Sequence, residues 1–586
     1  AFNGVLIADS VGLGKSFVAA RLIEDARRLR QRVLMIAPAA LRDGTWARFM
    51  DRTDLRFEVR SYEELAQENL GVRDWSEYAM VVVDEAHGVR NPDADRSKAL
   101  RKLLRGDPPK KLVMLTATPV NNSVWDLFYL LEYFIKQDAA FAGAGIRSMR
   151  ELFKQASRMD PDDLTPDLLF ELLDRVVVRR TRHFVKKFYP HDRIKLGDGK
   201  EIPIEFPKPH VNKLGYELNA LLPGFFDEFE RLVMPEDGEP ELRLARYQPS
   251  AFRKDGETEQ SEIVLVGLVR SGMLKRFESS IYAFRCTLER MVVHHRAFLD
   301  MLSKGRVATT AALDAVLELP TSDSDEAEFA LKELENEGEL EDARRYDIPK
   351  LREAVSSDLA ILENMLSRVR PVTAQNSPKL KSLVKGLETI ARQADKDGRT
   401  PEEQRNNRKV LIFTYFADTM HWIYDFLELE IATNPKLKHF KGRMAKVSSM
   451  EGTEAVFGFA PLSMDAPPNR NDDRFDILVT TDVLAEGMNL QQCRNLINYD
   501  LPWNPMRLVQ RHGRIDRIGS PHKDNFIFCF LPDDELDRLL RLHDRIQNKV
   551  KVAARTVGVE SPVLPGAETG EVVLGVREEL ERMAAE

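Results

Sequence analysis

The chain has 586 residues, too many for one hydrophobic core, so two or three domains are expected. Its 43% hydrophobic and 31% charged residues fit a globular protein, and no apolar run is long enough to span a membrane. A net charge of −8 excludes binding to nucleic acid by bulk charge; such a partner would need a local basic groove. The three cysteines, Cys286, Cys493 and Cys529, lack metal-ligand spacing, and with no signal peptide the chain is expected in a reducing, cytoplasmic compartment.

Val5–Ala8 reads as a buried strand. It feeds Asp9-Ser10-Val11-Gly12-Leu13-Gly14-Lys15-Ser16, and a helical stretch, Phe17–Leu29, follows. Strand, glycine loop, Gly-Lys-Ser and helix together make a phosphate-binding loop. Backbone N–H groups of Gly12, Leu13 and Gly14 and the helix N-terminus would cradle phosphates, Lys15 would reach the terminal ones, and Ser16 would help hold Mg²⁺. Asp9 stands where the general motif has its first glycine. Because Gly4 already opens this strand and Val576–Glu586 stops inside a helical pattern, the sequence is expected to be a fragment of a longer protein.

Val33–Ala37 and Met80–Val83 are further buried strands, and a helical stretch begins at Arg60-Ser61-Tyr62. Met80–Val83 runs directly into Asp84-Glu85-Ala86-His87. Acidic residues at a strand end, opposite a phosphate loop, suit a metal and a water: Asp84 for Mg²⁺, Glu85 for the attacking water. Leu112–Leu115 is a fourth strand and leads to Thr116-Ala117-Thr118-Pro119, whose hydroxyls could link the nucleotide site to a second ligand. Strands alternating with helices imply a parallel α/β sheet.

That rhythm stops between about Asp138 and Ser377. Glu201–Pro209 is loop-like, and Ile263–Leu302 gives one long helical pattern in which His294 and His295 read as surface or packing residues. Asp323–Asp342 is acidic and expected to be solvated. Pro378–Ile390 reads as a helix and Ala391–Arg408 as a polar linker. Val410–Phe413 and Phe475–Val479 resume the strands, while Gly442–Pro468 is loop-rich and has no assigned element. Leu496–Tyr499 is a strand broken by Asp500, Pro502, Asn504 and Pro505. The following segment spaces Gln510, Arg514 and Arg517 along one side of a helix, where fixed cations would suit a phosphate gaining charge. Phe526–Leu531 reads as an edge strand and Glu535–Ala553 as an amphipathic helix.

The ordered set DSVGLGKS, IAP, DEAH, LTATPVNN, VTTDVLAEGMNLQ and QRHGRIDRIG resembles the ATPase core of superfamily-two helicases. Asn498-Tyr499-Asp500-Leu501-Pro502-Trp503-Asn504-Pro505 narrows the resemblance to Swi/Snf-like translocases. The wording is similar to a bacterial branch that includes an RNA-polymerase-recycling ATPase and phage-defence helicases. The resemblance implies two RecA-like parallel-sheet lobes at 1–190 and 375–560, a mainly helical insertion at 191–374, and the start of a C-terminal extension at 561–586. Arg175–Arg182 resembles the segment that closes the first lobe. The family's adenine-reading segment upstream of the phosphate loop is missing here.

By resemblance, Glu85, Gln510, Arg514 and Arg517 are catalytic, the arginines as fingers. Gly12, Leu13, Gly14, Lys15, Ser16, Asp84 and Gly487 bind Mg²⁺·ATP. Thr116, Thr118, Thr480, Thr481 and Asn489 couple the site to nucleic acid. Trp46, Asn121 and Trp503 match motif positions that packing alone could also explain. The implied activity is ATP-driven movement along double-stranded DNA, with RNA polymerase or phage-defence proteins as candidate partners. An RNA helicase and an ATP-gated scaffold are the rival readings.

Overall fold

The computed structural model describes residues 2–39, 41–67, 75–106, 109–120, 123–159, 167–189, 191–195, 201–219, 221–233, 239–308, 340–448, 452–484 and 487–531. Asn121, most of the acidic stretch 323–342, the helix read at Glu535–Ala553 and the end at Val576–Glu586 lie outside these residues.

The first lobe is a six-stranded, all-parallel sheet. Its strands are β1 (Gly4–Ile7), β2 (Arg32–Ala37), β3 (Glu58–Ser61), β4 (Tyr78–Asp84), β5 (Lys111–Leu115) and β6 (Val177–Val178), in the order β3-β2-β4-β5-β1-β6. Alternate side chains enter separate cores on the two faces. Leu6, Leu34, Ile36, Val81, Val83, Leu112 and Met114 fill one. Ile7, Val33, Met35, Val82, Val113 and Leu115 fill the other. Burial on both faces explains the near-continuous apolar runs in these strands. β3 is the strand that the reading of Arg60-Ser61-Tyr62 as a helix start passed over; the helix begins one residue after it, at Tyr62.

A two-stranded hairpin, β7 (Arg193–Lys195) with β8 (Glu201–Pro203), follows. β9 (Lys208–Leu214) then crosses to the second sheet. A separate antiparallel pair joins β10 (Arg306–Ala308) to β11 (Leu340–Asp342). The second lobe adds β12 (Val410–Phe413), β13 (Met444–Val447), β14 (Ile477–Thr480), β15 (Asn495–Asn498) and β16 (Asp524–Phe530). Its order is β13-β14-β12-β15-β16-β9, again all parallel. The two sheets are RecA-like.

Several expectations change here. β16 is not an edge strand, because β9 pairs with it along its whole length, from Asp524↔Lys208 to Phe530↔Leu214. β9 thus comes from the range read as insertion, and its Pro209 is tolerated because the strand is at the sheet edge. The pattern at Ile263–Leu302 is two helices, Gln260–Ser279 and Ile281–Ser303, broken where Ser280 caps the second. The polar linker Ala391–Arg408 is helical: Pro378–Asp397 continues through it, burying Ala391 and Ala394, and Thr400 caps a further helix at Pro401–Arg408. Within Gly442–Pro468 lie β13 and a short helix, Thr453–Phe459.

The insertion shares its core with the second lobe. Phe225, Phe226, Phe229, Phe277 and Phe284 belong to the same buried cluster as Ile412, Val479 and Ile497. His295 is buried, donates from Nδ1 to Met291 O (2.7 Å) and packs edge-on against Tyr247. Burial pushes its pKa down to about 4. Among the described residues no helix is long and apolar enough to cross a membrane.

Candidate nucleotide site

β1 ends beside β6, and that pairing continues into the loop: Ala8 N–H donates to Val178 O (2.8 Å) and Ser10 N–H to Arg180 O (3.2 Å). Asp9, fully buried, accepts Arg180 N–H at 2.8 Å and the Arg180 guanidinium on both oxygens. The departure from glycine at position 9 therefore ties the mouth of the loop to the strand beside it by charge-assisted bonds. Gly12 (φ 85°) and Gly14 (φ 79°) take left-handed turns that most side chains resist. Gly14 leads into the helix Lys15–Arg28, whose first turn carries no acidic side chain and no side-chain cap. The N-terminal N–H groups are thus left to an anion.

Lys15 Nζ donates to Asp9 O at 3.0 Å. Burial lowers its pKa, while Glu85, Asp84 and Asp9 raise it. Asp84, at the end of β4, accepts Trp46 Nε1–H at 2.9 Å on one oxygen and Glu85 N–H at 3.0 Å on the other. Burial, then the charge of Glu85, pushes its carboxyl up to about 7. Glu85 is left-handed (φ 51°, ψ 52°), a conformation unusual for a residue of this type. The Tyr62 hydroxyl lies 2.7 Å from Asp84 O and 3.1 Å from Glu85 O, pinning the strand end from below. His87 Nδ1 stands 3.3 Å from Glu85 Oε2 and 3.4 Å from Thr116 Oγ1, so the Thr116 loop touches Glu85 through an imidazole.

The second lobe brings its segment from the facing side. Gln510 lies on the helix Pro505–His512, but Arg514 and Arg517 do not: the helix ends at Gly513 and both arginines follow in turns. Their alignment comes instead from backbone contacts. Arg514 Nε donates to Gln510 O (3.0 Å) and Nη1 to Met488 O (3.2 Å); Arg517 Nε donates to Gly513 O (2.9 Å). Arg517 Nη1 also donates to Asn489 Oδ1. The lobes meet here. A Cβ on Gly12 would stand 3.3 Å from Arg517 Cγ, one on Gly513 would stand 2.1 Å from Val11 Cγ1, and one on Gly487 2.3 Å from Leu41 Cδ2. Thr45 Oγ1 donates to Gly487 O at 3.1 Å. Burial and Arg514 lower the proton affinity of Arg517; Glu85 raises it.

The residues present fit Mg²⁺ and a nucleotide triphosphate. Glu85 Oε2 and Gln510 Oε1 are buried without a hydrogen bond among the described residues. Asp84, Glu85, Lys15 and Arg517 converge on the glycine loop, and Ser16 with Asp84 would supply the few protein oxygens that Mg²⁺ takes beside phosphate.

The expected coupling residues divide into buried and more exposed ones. Thr116 and Thr118 are buried, and Thr116 Oγ1 accepts Thr118 N–H at 3.1 Å. Thr480 is buried with its hydroxyl against Val447 O (2.9 Å), and half-buried Thr481 donates its N–H to the same carbonyl at 3.4 Å. Asn489 is exposed and holds Arg517. Trp503 is half-buried under Lys275, whose Nζ lies 4.7 Å from the ring centroid. Sequence reasoning missed Tyr62, Arg180, Arg182 and Asp516; for the two arginines the signal was present in the Arg175–Arg182 run.

Residues 52–196 match the SNF2-related domain and residues 398–519 the helicase conserved C-terminal domain, one on each lobe. The two lobes thus carry domains of Swi/Snf-type, superfamily-two helicase-like proteins. Among its relatives is the ATP-dependent helicase YqhH of Bacillus subtilis, 22% identical over 540 residues, which is 88% of this chain and 70% of that protein. RNA polymerase-associated protein RapA of Pseudomonas putida is 27% identical over 189 residues in one strain and 29% over 133 residues in another. Those matches take in 30% and 23% of this chain but only 18% and 13% of the RapA proteins. The Swi/Snf-type assignment accounts for two lobes whose motif residues lie at the C-terminal ends of parallel strands and face one another.

Proposed function

We propose that this protein hydrolyses ATP in the cleft between its lobes and uses the cycle to move along double-stranded DNA. The observation that carries the reading is the approach of Arg517 to Gly12 with Glu85 and Lys15 alongside. Lys15 and the loop N–H groups would bind the phosphates. Glu85 would take a proton from water as the water oxygen attacks the γ-phosphorus and the bond to the β-bridging oxygen breaks, leaving ADP and phosphate. Arg517, with Gln510 and Arg514 beside it, would stabilise the charge on the transferring group. Mg²⁺, held by Ser16 and Asp84, would neutralise phosphate charge when bound.

Closure on ATP and reopening after product release would step the lobes along a backbone. Buried Thr116, linked to Glu85 through His87, would report duplex contact to the water-handling carboxylate. Asn489, released from Arg517, would be free for the backbone. RNA polymerase is the protein partner that the RapA likeness suggests, in the bacterial cytoplasm. The test is ATP turnover with duplex DNA, single strands and RNA side by side. Stimulation by duplex DNA is expected; stimulation by RNA alone would favour an RNA helicase, and none at all an ATP-gated scaffold.

A further inference from the structure

One arginine outside the motifs touches both lobes. Arg182 Nη1 donates to Asp516 Oδ2 at 2.6 Å, and Nη2 donates to Asp516 O at 2.8 Å and to Val11 O of the phosphate loop at 3.2 Å. The pair is well covered, with the side chains 12% and 3% exposed. The Arg182 guanidinium also lies 5.1 Å from the ring centroid of Phe206, in the segment between the first lobe and β9. Three parts thus meet at one cation: the phosphate loop, the turn carrying the finger, and the crossing between lobes.

The arginine is held firmly enough to act. It is the first residue of the helix Arg182–Phe188, capped by Thr181, whose Oγ1 accepts Phe184 N–H at 3.0 Å. Two residues earlier Arg180 grips Asp9, and two before that Val178 pairs with β1. The segment is therefore a rigid extension of the first lobe. Asp516 immediately precedes Arg517, so fixing Asp516 fixes the backbone from which Arg517 projects. Because Asp516 neutralises it, Arg182 is not itself aimed at phosphate.

We propose that Arg182 is a positioning residue for ATP hydrolysis: a latch that, on closure, locks Asp516 to the rim of the phosphate loop and so sets Arg517 at its working place. This rests on the two-lobe ATPase reading above. A covered, hydrogen-bonded charge pair between moving bodies suits such a task, since it forms fully only when both present their halves.

The experiment uses the full-length protein with a fluorescent donor on one lobe and an acceptor on the other. Arg182→Gln, Asp516→Asn, the double variant and Arg182→Lys are compared with the parent. Closure is read with a non-hydrolysable ATP analogue, and affinity and saturated turnover with ATP. The expected result is reduced closure, a loss of saturated turnover of at least about tenfold, and ATP affinity held within about threefold. The double variant should fall no further than the worse single, and the lysine variant should lie between. Unchanged closure and turnover in both singles would overturn the latch. So would a loss confined to affinity, which would make Arg182 a brace for the loop, or a loss in step with the folded fraction. A parent that closes on the analogue but never hydrolyses ATP would sink the ATPase reading while leaving the closure test intact.

Discussion

Trp46 donates its indole N–H to Asp84 at 2.9 Å, from a residue 38 positions earlier in the chain. The ring is wholly buried and packs edge-on against Phe49 and Phe57, so the bond is held by a packed core. It is one of the interactions that lower the Asp84 pKa against the larger effect of burial. We predict that Trp46→Phe keeps most of the packing but loses a charge-assisted bond, on the order of 1.5–3 kcal/mol. Asp84 should then hold its proton to higher pH. The expected outcome is a greater Mg²⁺ requirement for turnover near neutral pH, relieved by raising the pH. An unchanged Mg²⁺ dependence would mean that Trp46 only packs.

Asp84 itself makes a pH prediction. Its carboxyl is pushed up to about 7 by burial and then by Glu85. A carboxyl raised above its unfolded value contributes stability that is fully present below that value and lost as pH rises through about 7. The metal-free protein should therefore lose this stability toward about pH 8, and Mg²⁺ should restore more there than at about pH 6. Binding near neutral pH should release a proton, measurable by calorimetry in buffers of different ionisation enthalpy. Asp84→Asn should abolish the release. Equal proton release by parent and variant would contradict the assignment.

Lys15 and Glu85 should separate binding from chemistry. Lys15 would offer charge to bound phosphates, whereas Glu85 keeps a buried oxygen without a hydrogen bond among the described residues. Lys15→Ala is predicted to weaken ATP binding; Glu85→Gln should bind ATP like the parent and lose turnover, about a hundredfold or more. Affinity and single-turnover rates check both. A Glu85→Gln protein that hydrolyses at the parent rate would remove Glu85 from the mechanism.

The phosphate loop and Asp84-Glu85 were legible because each lies in one short run at the end of an apolar strand, so local pattern and chemistry coincide. Arg182 with Asp516 was not: the partners are 334 residues apart, and neither belongs to a pattern that names the other. β9 escaped because an edge strand needs backbone pairing more than an apolar face, and most of its side chains are at least partly exposed. The break at Ser280 is fixed by distant groups: Ser280 Oγ meets Thr419 Oγ1 at 2.7 Å, and Ser279 Oγ donates to Asp500 at 2.5 Å. The arginine spacing reads as helical, yet Gly513 ends the helix, and the carbonyls of Gln510, Met488 and Gly513 align the side chains.

Closure has a steric test. Gly513 faces Val11 across the cleft with no room for a methyl, and its φ is not in the left-handed region. Gly513→Ala should leave each lobe folded and the ATP affinity of the open state near the parent value, while lowering saturated turnover. Val11→Ala in the same protein should recover part of the loss, because it removes the colliding atoms. Turnover in the double variant no better than in Gly513→Ala would place the defect inside the second lobe.

Arg517 carries the sharpest prediction. The phosphate loop and both carboxylates belong to the first lobe, so that lobe can supply ground-state contacts without help from the second. What it lacks is a cation aimed at the charge that develops on the transferring phosphoryl group. Arg517 is half-buried, with Glu85 and Lys15 near it, and Asn489 holds its guanidinium. Its contribution should belong to the transition state, so Arg517→Ala should cut saturated turnover far more than ATP affinity. Arginine fingers are worth ~10³–10⁵ in rate, and a cleft that opens and closes would lower that figure. Arg514 is braced by the carbonyls of Gln510 and Met488 and stands behind Arg517. Arg514→Ala should therefore cost less, and the double variant less than the product of the singles. Single-turnover hydrolysis with saturating ATP, with and without duplex DNA, decides the matter. If Arg517→Ala raises the ATP dissociation constant and leaves saturated turnover at the parent value, Arg517 is a binding residue and the two-lobe mechanism loses its central step.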